Sequence, residues 1–278
     1  VGTLNYRNDE NLEFLKKCSD SELEVLEKIL ICDEEGMLRD TEDLTLQGRY
    51  QEYKGNQSYY WDLIAAEYQY YGGNTFLNWV RGSWFEKGNT FNSEGVLYEE
   101  ILTDVCSKMK VNLPKNSSLE TKEANLLLKV MEKTLESIPE SEREGFMKDL
   151  DIKTSSYKLQ ACTAALQLAI RQGGFKSYQI AVIIANSISK QILGKGLTFA
   201  GNATLTKWLA RFAGPIGWVI TALWTAVDLA GPAYRVTIPA TIYIASLRGF
   251  SSFKKCSKCK KPIGDSVKFC DECGTPNS

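Results

Sequence analysis

The sequence contains no histidine. That absence removes the imidazole from every role it plays in hydrolases and metal enzymes: no Ser-His-Asp or Cys-His nucleophile, no His general base and no His ligand can be assembled. Acid is scarce in one long stretch. Residues 152–250 hold 10 Lys+Arg against a single acid, Asp228, a net of +9. Residues 1–151 hold 17 against 30, a net of −13, and residues 251–278 hold 6 against 3, a net of +3. Runs long enough to cross a bilayer are missing too. The uncharged stretches Phe212–Val227 and Val236–Leu247 fall short of the ~20 apolar residues a spanning helix needs, so they suit buried helices or a shallow re-entrant hairpin. Gly194-Lys195-Gly196 is no phosphate loop, because Ser189 stands where the first glycine belongs and Gly196 where Ser or Thr should follow the lysine. Dinucleotide fingerprints, EF-hand loops and nucleophile elbows are absent. Glu99, Glu100 and Asp104 have the spacing of a solvated helix face, and no catalytic set emerges.

What is present is cysteine in a pattern. Cys256-Ser-Lys-Cys259 and Cys270-Asp-Glu-Cys273-Gly274 are separated by ten residues. Two Cys-x-x-Cys turns presenting four thiolates to one tetrahedral ion form a zinc ribbon, and four protein ligands leave no open position, so one structural Zn2+ is expected. Ile263 and Phe269 supply a minimal apolar nucleus, while Lys254, Lys255, Lys258, Lys260, Lys261 and Lys268 offset the thiolate charge. Lys260 stands where many such ribbons have glycine. The other four thiols, Cys18, Cys32, Cys106 and Cys162, have no paired spacing and read as buried or partly buried. Reduced cysteines without a recognisable signal peptide imply a cytoplasmic protein, with the inner-membrane surface as a second location.

Helical periodicity dominates the chain. Residues 8–31 read as a helical hairpin whose second arm opens on the capping box Ser19-Asp-Ser-Glu22. Residues 33–56, polar and acidic with little periodicity, read as loop or as weakly marked helix. Residues 57–71 form a helix with a broad aromatic face, ended by Gly72-Gly73, and Asn74 caps a new helix over 75–81. Further helices are expected over 96–110, over 120–137 behind Ser118 or Thr121, and from Pro139 with Phe146, Met147 and Leu150 inward. The helices over 156–171 and 175–193 are nearly apolar all round, hence buried. The fold expected is all-α: a multi-helix, bundle-like body with a small C-terminal zinc ribbon. Its parts are a hairpin (1–35), an acidic segment (36–151), a basic, apolar, glycine-containing segment (152–250) and the ribbon (251–278).

Particular residues bear a family likeness. Asn5-Tyr-Arg-Asn-Asp9 with Leu12-Glu-Phe-Leu15, then Ile64-Ala-Ala-Glu67-Tyr-Gln69-Tyr-Tyr-Gly72-Gly73-Asn74, and Ala233-Tyr-Arg-Val-Thr-Ile-Pro-Ala240 resemble the YaaW-like family of uncharacterised bacterial proteins. The resemblance spans about residues 4–248. That family is grouped with ubiquinol–cytochrome c chaperone-like domains, which implies a helical protein-binding role and transfers no catalytic residue. This chain departs from it by an insertion over Ser83–Glu94 and by the added ribbon.

The expectation is therefore a non-enzymatic, chaperone-like protein with a protein partner, the ribbon serving as docking module. The alternative is a membrane-active stress or defence effector whose segment 175–248 is masked by the acidic half and released onto anionic lipid. Nucleic acid ranks below both, because the acidic first 151 residues would repel a duplex.

Overall fold

The computed structural model describes residues 4–33, 35–40, 42–81, 95–172, 174–197, 203–226 and 233–251, and in the tail 256–258, 263, 268–270 and 273–276; at 74–81, 174, 203–204, 223–226 and 250–251 it describes backbone only. Eleven α-helices are found among the described residues: α1 Asp20–Ile31, α2 Gly48–Tyr53, α3 Trp61–Arg81, α4 Tyr98–Lys108, α5 Leu119–Glu136, α6 Glu140–Asp149, α7 Leu159–Gln172, α8 Gly174–Leu193, α9 Ala203–Arg211, α10 Ala213–Ala226 and α11 Tyr234–Ser251. The β structure among those residues is limited to two isolated bridges, Cys32 with Leu38 and Phe269 with Pro276. The body is all-helical, as the periodicity implied. Two compact units divide it, one of residues 1–111 with 220–244, the other of 112–219 with 245–278. Both draw on the acidic first 151 residues and on the basic stretch that follows.

In the first unit α1 is set by its capping box. The Ser19 hydroxyl accepts from Glu22 N at 3.4 Å and the Glu22 carboxylate accepts from Ser19 N at 2.7 Å. The preceding arm is a 3-10 turn, Glu13–Lys17, that drives Leu12 and Leu15 fully inward. Residues 33–56, expected as loop or weakly marked helix, contain a 3-10 turn at Leu44–Leu46 and the short α2. Leu44 and Tyr50 are buried there, and Tyr50 meets Tyr60 edge-on at 5.3 Å. Two apolar anchors in a polar sequence are too sparse for a periodicity to register.

The glycine pair does not end α3, which runs unbroken past Gly72 and Gly73 to Arg81. A Cβ at Gly72 would lie 2.3 Å from Ile101 Cδ1, so this glycine exists to let α4 close on α3. Removing a side chain costs helix propensity of about 1 kcal/mol, and the close crossing offsets it. The end of α4 comes two residues earlier than expected, with Lys110 left-handed at φ 54° and Val111 N donating back to Cys106 O at 2.8 Å.

The second unit stacks α7 on α5, α6 and α8, and α8 on α9. Ser118 caps α5 by accepting from Thr121 N at 3.3 Å. The far end of α5 is held by Arg143, whose guanidinium donates to Leu135 O at 2.9 Å and to Ile138 O at 2.6 Å, a cation on carbonyls that carry the negative helix pole. Phe146, Trp208 and Phe212 form an aromatic nucleus with centroids 4.7–5.2 Å apart. Ion pairs join early acids to late bases inside this unit: Asp149 to Lys207 at 2.5 Å, Glu142 to Arg211 at 3.2 Å and Glu123 to Arg248 at 2.9 Å.

Of the two helices read as apolar all round, α8 is buried continuously from Tyr178 to Ser189. By contrast α7 is amphipathic: Cys162, Leu166, Ala169 and Ile170 face inward while Leu168 is 58% exposed. Its alanines and glutamines tolerate water, so low charge was a poor guide to burial. Residues 236–247 of α11 are buried on every side, with the hydroxyls of Thr237 and Thr241 donating back to the carbonyls of Ala233 and Thr237. Among the described residues no helix is long and apolar enough to cross a membrane.

Gly72→Ala should lower the unfolding free energy by about 1–3 kcal/mol through overpacking, despite alanine's better helix propensity. Urea titration of the single variant and of Gly72→Ala/Ile101→Val checks this: the second substitution should recover part of the loss. An unchanged or raised midpoint for the single variant would contradict the close crossing.

Candidate functional site

The tail brings together cysteines that the sequence holds 14 and 17 residues apart. The Sγ atoms of Cys256, Cys270 and Cys273 all lie within 4.8 Å of one another. Cys256 and Cys270 are buried at 1% and 4% exposure, and Ile263 at 5% packs with them. A tight turn sets the second arm: Gly274 N donates to Cys270 O at 2.8 Å, and Cys270 N donates to Thr275 O at 2.8 Å. Gly274 sits at φ 67°, a conformation that side chains resist, which explains the glycine directly after the second pair. Phe269 is 58% exposed and is not part of the apolar nucleus; its backbone pairs with Pro276 instead. In a module this small, the nucleus is Ile263 and the cysteine side chains themselves.

The donor set suits a thiophilic metal ion. Cys256 Sγ and Cys273 Sγ are 3.5 Å apart, far beyond the ~2.05 Å of a disulfide and close to the ~3.8 Å that two ~2.3 Å metal–thiolate bonds subtend at a tetrahedral centre. The three described cysteines can hold one ion. Cys259 lies outside the described residues, as do Lys254, Lys255, Lys260 and Lys261, and the insertion Ser83–Glu94; Lys258 and Lys268 are exposed. Thr275 Oγ1 approaches Cys273 Sγ at 3.1 Å. Among the described residues no other group of three Cys, Asp or Glu side chains has this ligand geometry. Of the remaining cysteines, Cys18, Cys106 and Cys162 are buried and Cys32 is half-buried. Burial pushes the thiols of Cys32 and Cys162 up, away from the reactive thiolate.

Sequence reading missed the buried polar side chains of the first unit. Asp9, 4% exposed, accepts from Asn11 N at 2.9 Å with one oxygen and from Tyr98 N at 2.6 Å with the other, so it caps α4 from a distance where Leu97 offers no side-chain cap. Gln69, fully buried, exchanges two hydrogen bonds with the Arg7 backbone, at 3.0 and 2.9 Å. Glu27 accepts from Tyr60 OH at 2.8 Å, and burial pushes its carboxyl up. Glu67, with no exposed surface, accepts from Asp43 N at 3.3 Å on both oxygens; burial first, then the neighbouring Glu42 and Asp43, pushes it up to about 8. Asp104, read as solvated, is half-buried and accepts from Tyr234 OH at 3.1 Å. The available signal was a Glu and a Gln flanking Tyr68 inside a helix whose aromatic residues leave no polar face.

The polar atoms thus position helices, and among the described residues only the cysteines form a ligand cluster. A helical body with a metal-competent tail is the class that this arrangement defines, and comparison with known proteins agrees for the body. The family model described as Ubiquinol-cytochrome C chaperone matches residues 56–242, and that described as Domain of unknown function (DUF3944) matches residues 6–39. A UPF0174 protein of Helicobacter pylori strain J99 is 45% identical over 244 residues, covering 87% of this chain and 92% of the relative. A UPF0174 protein of Helicobacter pylori strain 26695 is 38% identical over 212 residues, covering 74% and 96%. The UPF0174 protein YaaW of Escherichia coli K12 is 30% identical over 250 residues, covering 88% and 96%. The chain belongs to the UPF0174 family. No solved structure matches it.

Glu67 holds its proton more tightly folded than unfolded, so between pH 4.5 and about 8 the unfolded chain has released a proton that the folded chain keeps. Its contribution is fully present below that window and is lost as pH rises through it. Glu67→Gln should therefore stabilise the protein at pH 8 by about 3 kcal/mol more than at pH 5. Denaturant midpoints at the two values check this. Equal effects at both would show that the carboxyl ionises normally.

Proposed function

We propose that this protein is a non-enzymatic, chaperone-like factor that binds another protein, and that residues 251–278 are a zinc ribbon used for docking. The observation that carries the reading is the Ubiquinol-cytochrome C chaperone match across residues 56–242. In support, the unusual buried groups of the body, Glu27 and Glu67, are spent on backbone amides and tyrosine hydroxyls and sit away from solvent. A substrate has no access to such carboxyls, which fits a scaffold better than an acid–base catalyst.

In this reading Cys256, Cys259, Cys270 and Cys273 bind one Zn2+ as thiolates. Four such ligands close the coordination sphere, so the ion stabilises a recognition surface and activates no water. Lys258 and Lys268, both exposed, give that surface its positive charge. The working compartment is the cytoplasm, which keeps the thiols reduced.

Protein purified without chelator should carry about one zinc per chain by elemental analysis, as a four-thiolate site requires. Cys270→Ser should lose it. A strong chelator should remove the ion while far-UV circular dichroism stays helical, since the helices are built without the tail. Capture from the native host with the full chain, but not with a chain ending at residue 250, should retain a stoichiometric protein partner. Zinc-free full-length protein, or the same partner held equally by both chains, would remove the docking role.

A further inference from the structure

The three cysteines of the tail cluster are not equally protected. Cys256 and Cys270 are buried, whereas Cys273 is half-buried and meets water on one side. A metal-bound sulfur is a thiolate that keeps lone pairs and part of its negative charge, so at an open edge of a site protons compete with the ion for it. Cys273 is therefore the ligand at which the cluster is easiest to open.

The residues that follow bring a donor to that sulfur. Gly274, left-handed at φ 67°, reverses the chain directly after Cys273, and its amide donates to Cys270 O at 2.8 Å. Thr275 then precedes Pro276, whose ring disfavours the helical region for the residue before it. The returning segment is pinned twice, since Thr275 O accepts from Cys270 N at 2.8 Å and Pro276 pairs with Phe269. With its backbone held in this way, Thr275 is half-buried and its Oγ1 lies 3.1 Å from Cys273 Sγ.

The direction of that contact follows from the chemistry of the ligand. A thiolate has no proton to give, so the hydroxyl donates and the sulfur accepts. A hydrogen bond to an ionised acceptor is stronger than one between neutral groups, and it favours the charged form of the sulfur over the protonated one. One residue thus serves both cysteines of the second pair, through its carbonyl on Cys270 N and its hydroxyl on Cys273 Sγ. Only the second contact depends on which side chain is present.

We propose that Thr275 is a positioning residue of the metal site: its hydroxyl holds Cys273 as a thiolate ligand and so sets how tightly the cluster retains its ion. This role rests on the zinc-ribbon reading and adds to the site a residue outside the two Cys-x-x-Cys pairs.

Titration of the full chain with Zn2+ against a chromophoric chelator tests it, with Thr275→Val removing the hydroxyl at nearly constant shape and Thr275→Ser keeping it. Thr275→Val should raise the apparent Kd for Zn2+ about tenfold, the usual effect of deleting an outer-shell partner, and Thr275→Ser should stay within about twofold of wild type. Loading the same three proteins with Co2+ reads the hydrogen bond itself. Losing a donor raises the energy of the sulfur lone pairs, so the sulfur-to-cobalt charge-transfer band of Thr275→Val should move to longer wavelength while that of Thr275→Ser stays in place. A wild type that binds neither ion removes the ribbon reading and this role together. A wild type that binds, with Thr275→Val matching it in affinity or in charge-transfer energy, overturns this role alone. So does equal weakening by both variants, which would trace the effect to the packing of the side chain and not to its hydroxyl.

Discussion

A stretch of helix buried on all sides has to find a partner for every polar atom it carries, and residues 63–69 of α3 meet that demand with three consecutive side chains. Glu67, Tyr68 and Gln69 have no exposed surface. Glu67 reaches the amide of Asp43, Tyr68 OH lies 2.7 Å from Thr241 Oγ1, and Gln69 exchanges hydrogen bonds with Arg7. An unmade bond at such a depth costs about 1–3 kcal/mol, so each of the three segments is held where its partner on α3 requires it. The N-terminal segment then brings Asp9 to the start of α4, and Arg7 Nη1 closes the corner by donating to Gly95 O at 3.1 Å. The polar architecture of the first unit thus converges on α3.

Local chemistry in the sequence translated well into local structure. Ser19 and Ser118 cap the helices they precede, because a capping bond needs only neighbours within one turn. The clustering of Cys256, Cys270 and Cys273 was legible for a related reason: Cys-x-x-Cys spacing is itself a geometry, and Gly274 supplies the turn that the second pair needs. What failed depended on distant partners. Gly72 looks like a helix end when its neighbour Ile101 is unknown, and Asp104 looks solvated until Tyr234 is placed beside it. The roles of Asp9 and Glu67 rest on amides at separations of 89 and 24 residues, which no window along the chain contains.

Charge segregation survives folding in an altered form. The boundary between acidic and basic stretches along the sequence becomes a division between two units of −10 and +9, each assembled from both stretches. Acids of α5 and α6 neutralise bases of α9 and α11 inside the second unit, yet enough cations remain to give it a sign. The half-exposed pairs between α6 and α9 contribute little stability individually, so their main effect is on which surfaces the unit can approach, whereas Glu123–Arg248 is largely buried.

The bond between Tyr68 and Thr241 joins residues 173 positions apart. On the ribosome, at ~5–20 residues per second, the tyrosine is made roughly 10–30 s before its partner exists. For that interval a hydroxyl destined for a dry interior must stay hydrated, and the helix around it cannot settle. The first unit therefore matures late, and α11 is the part it waits for.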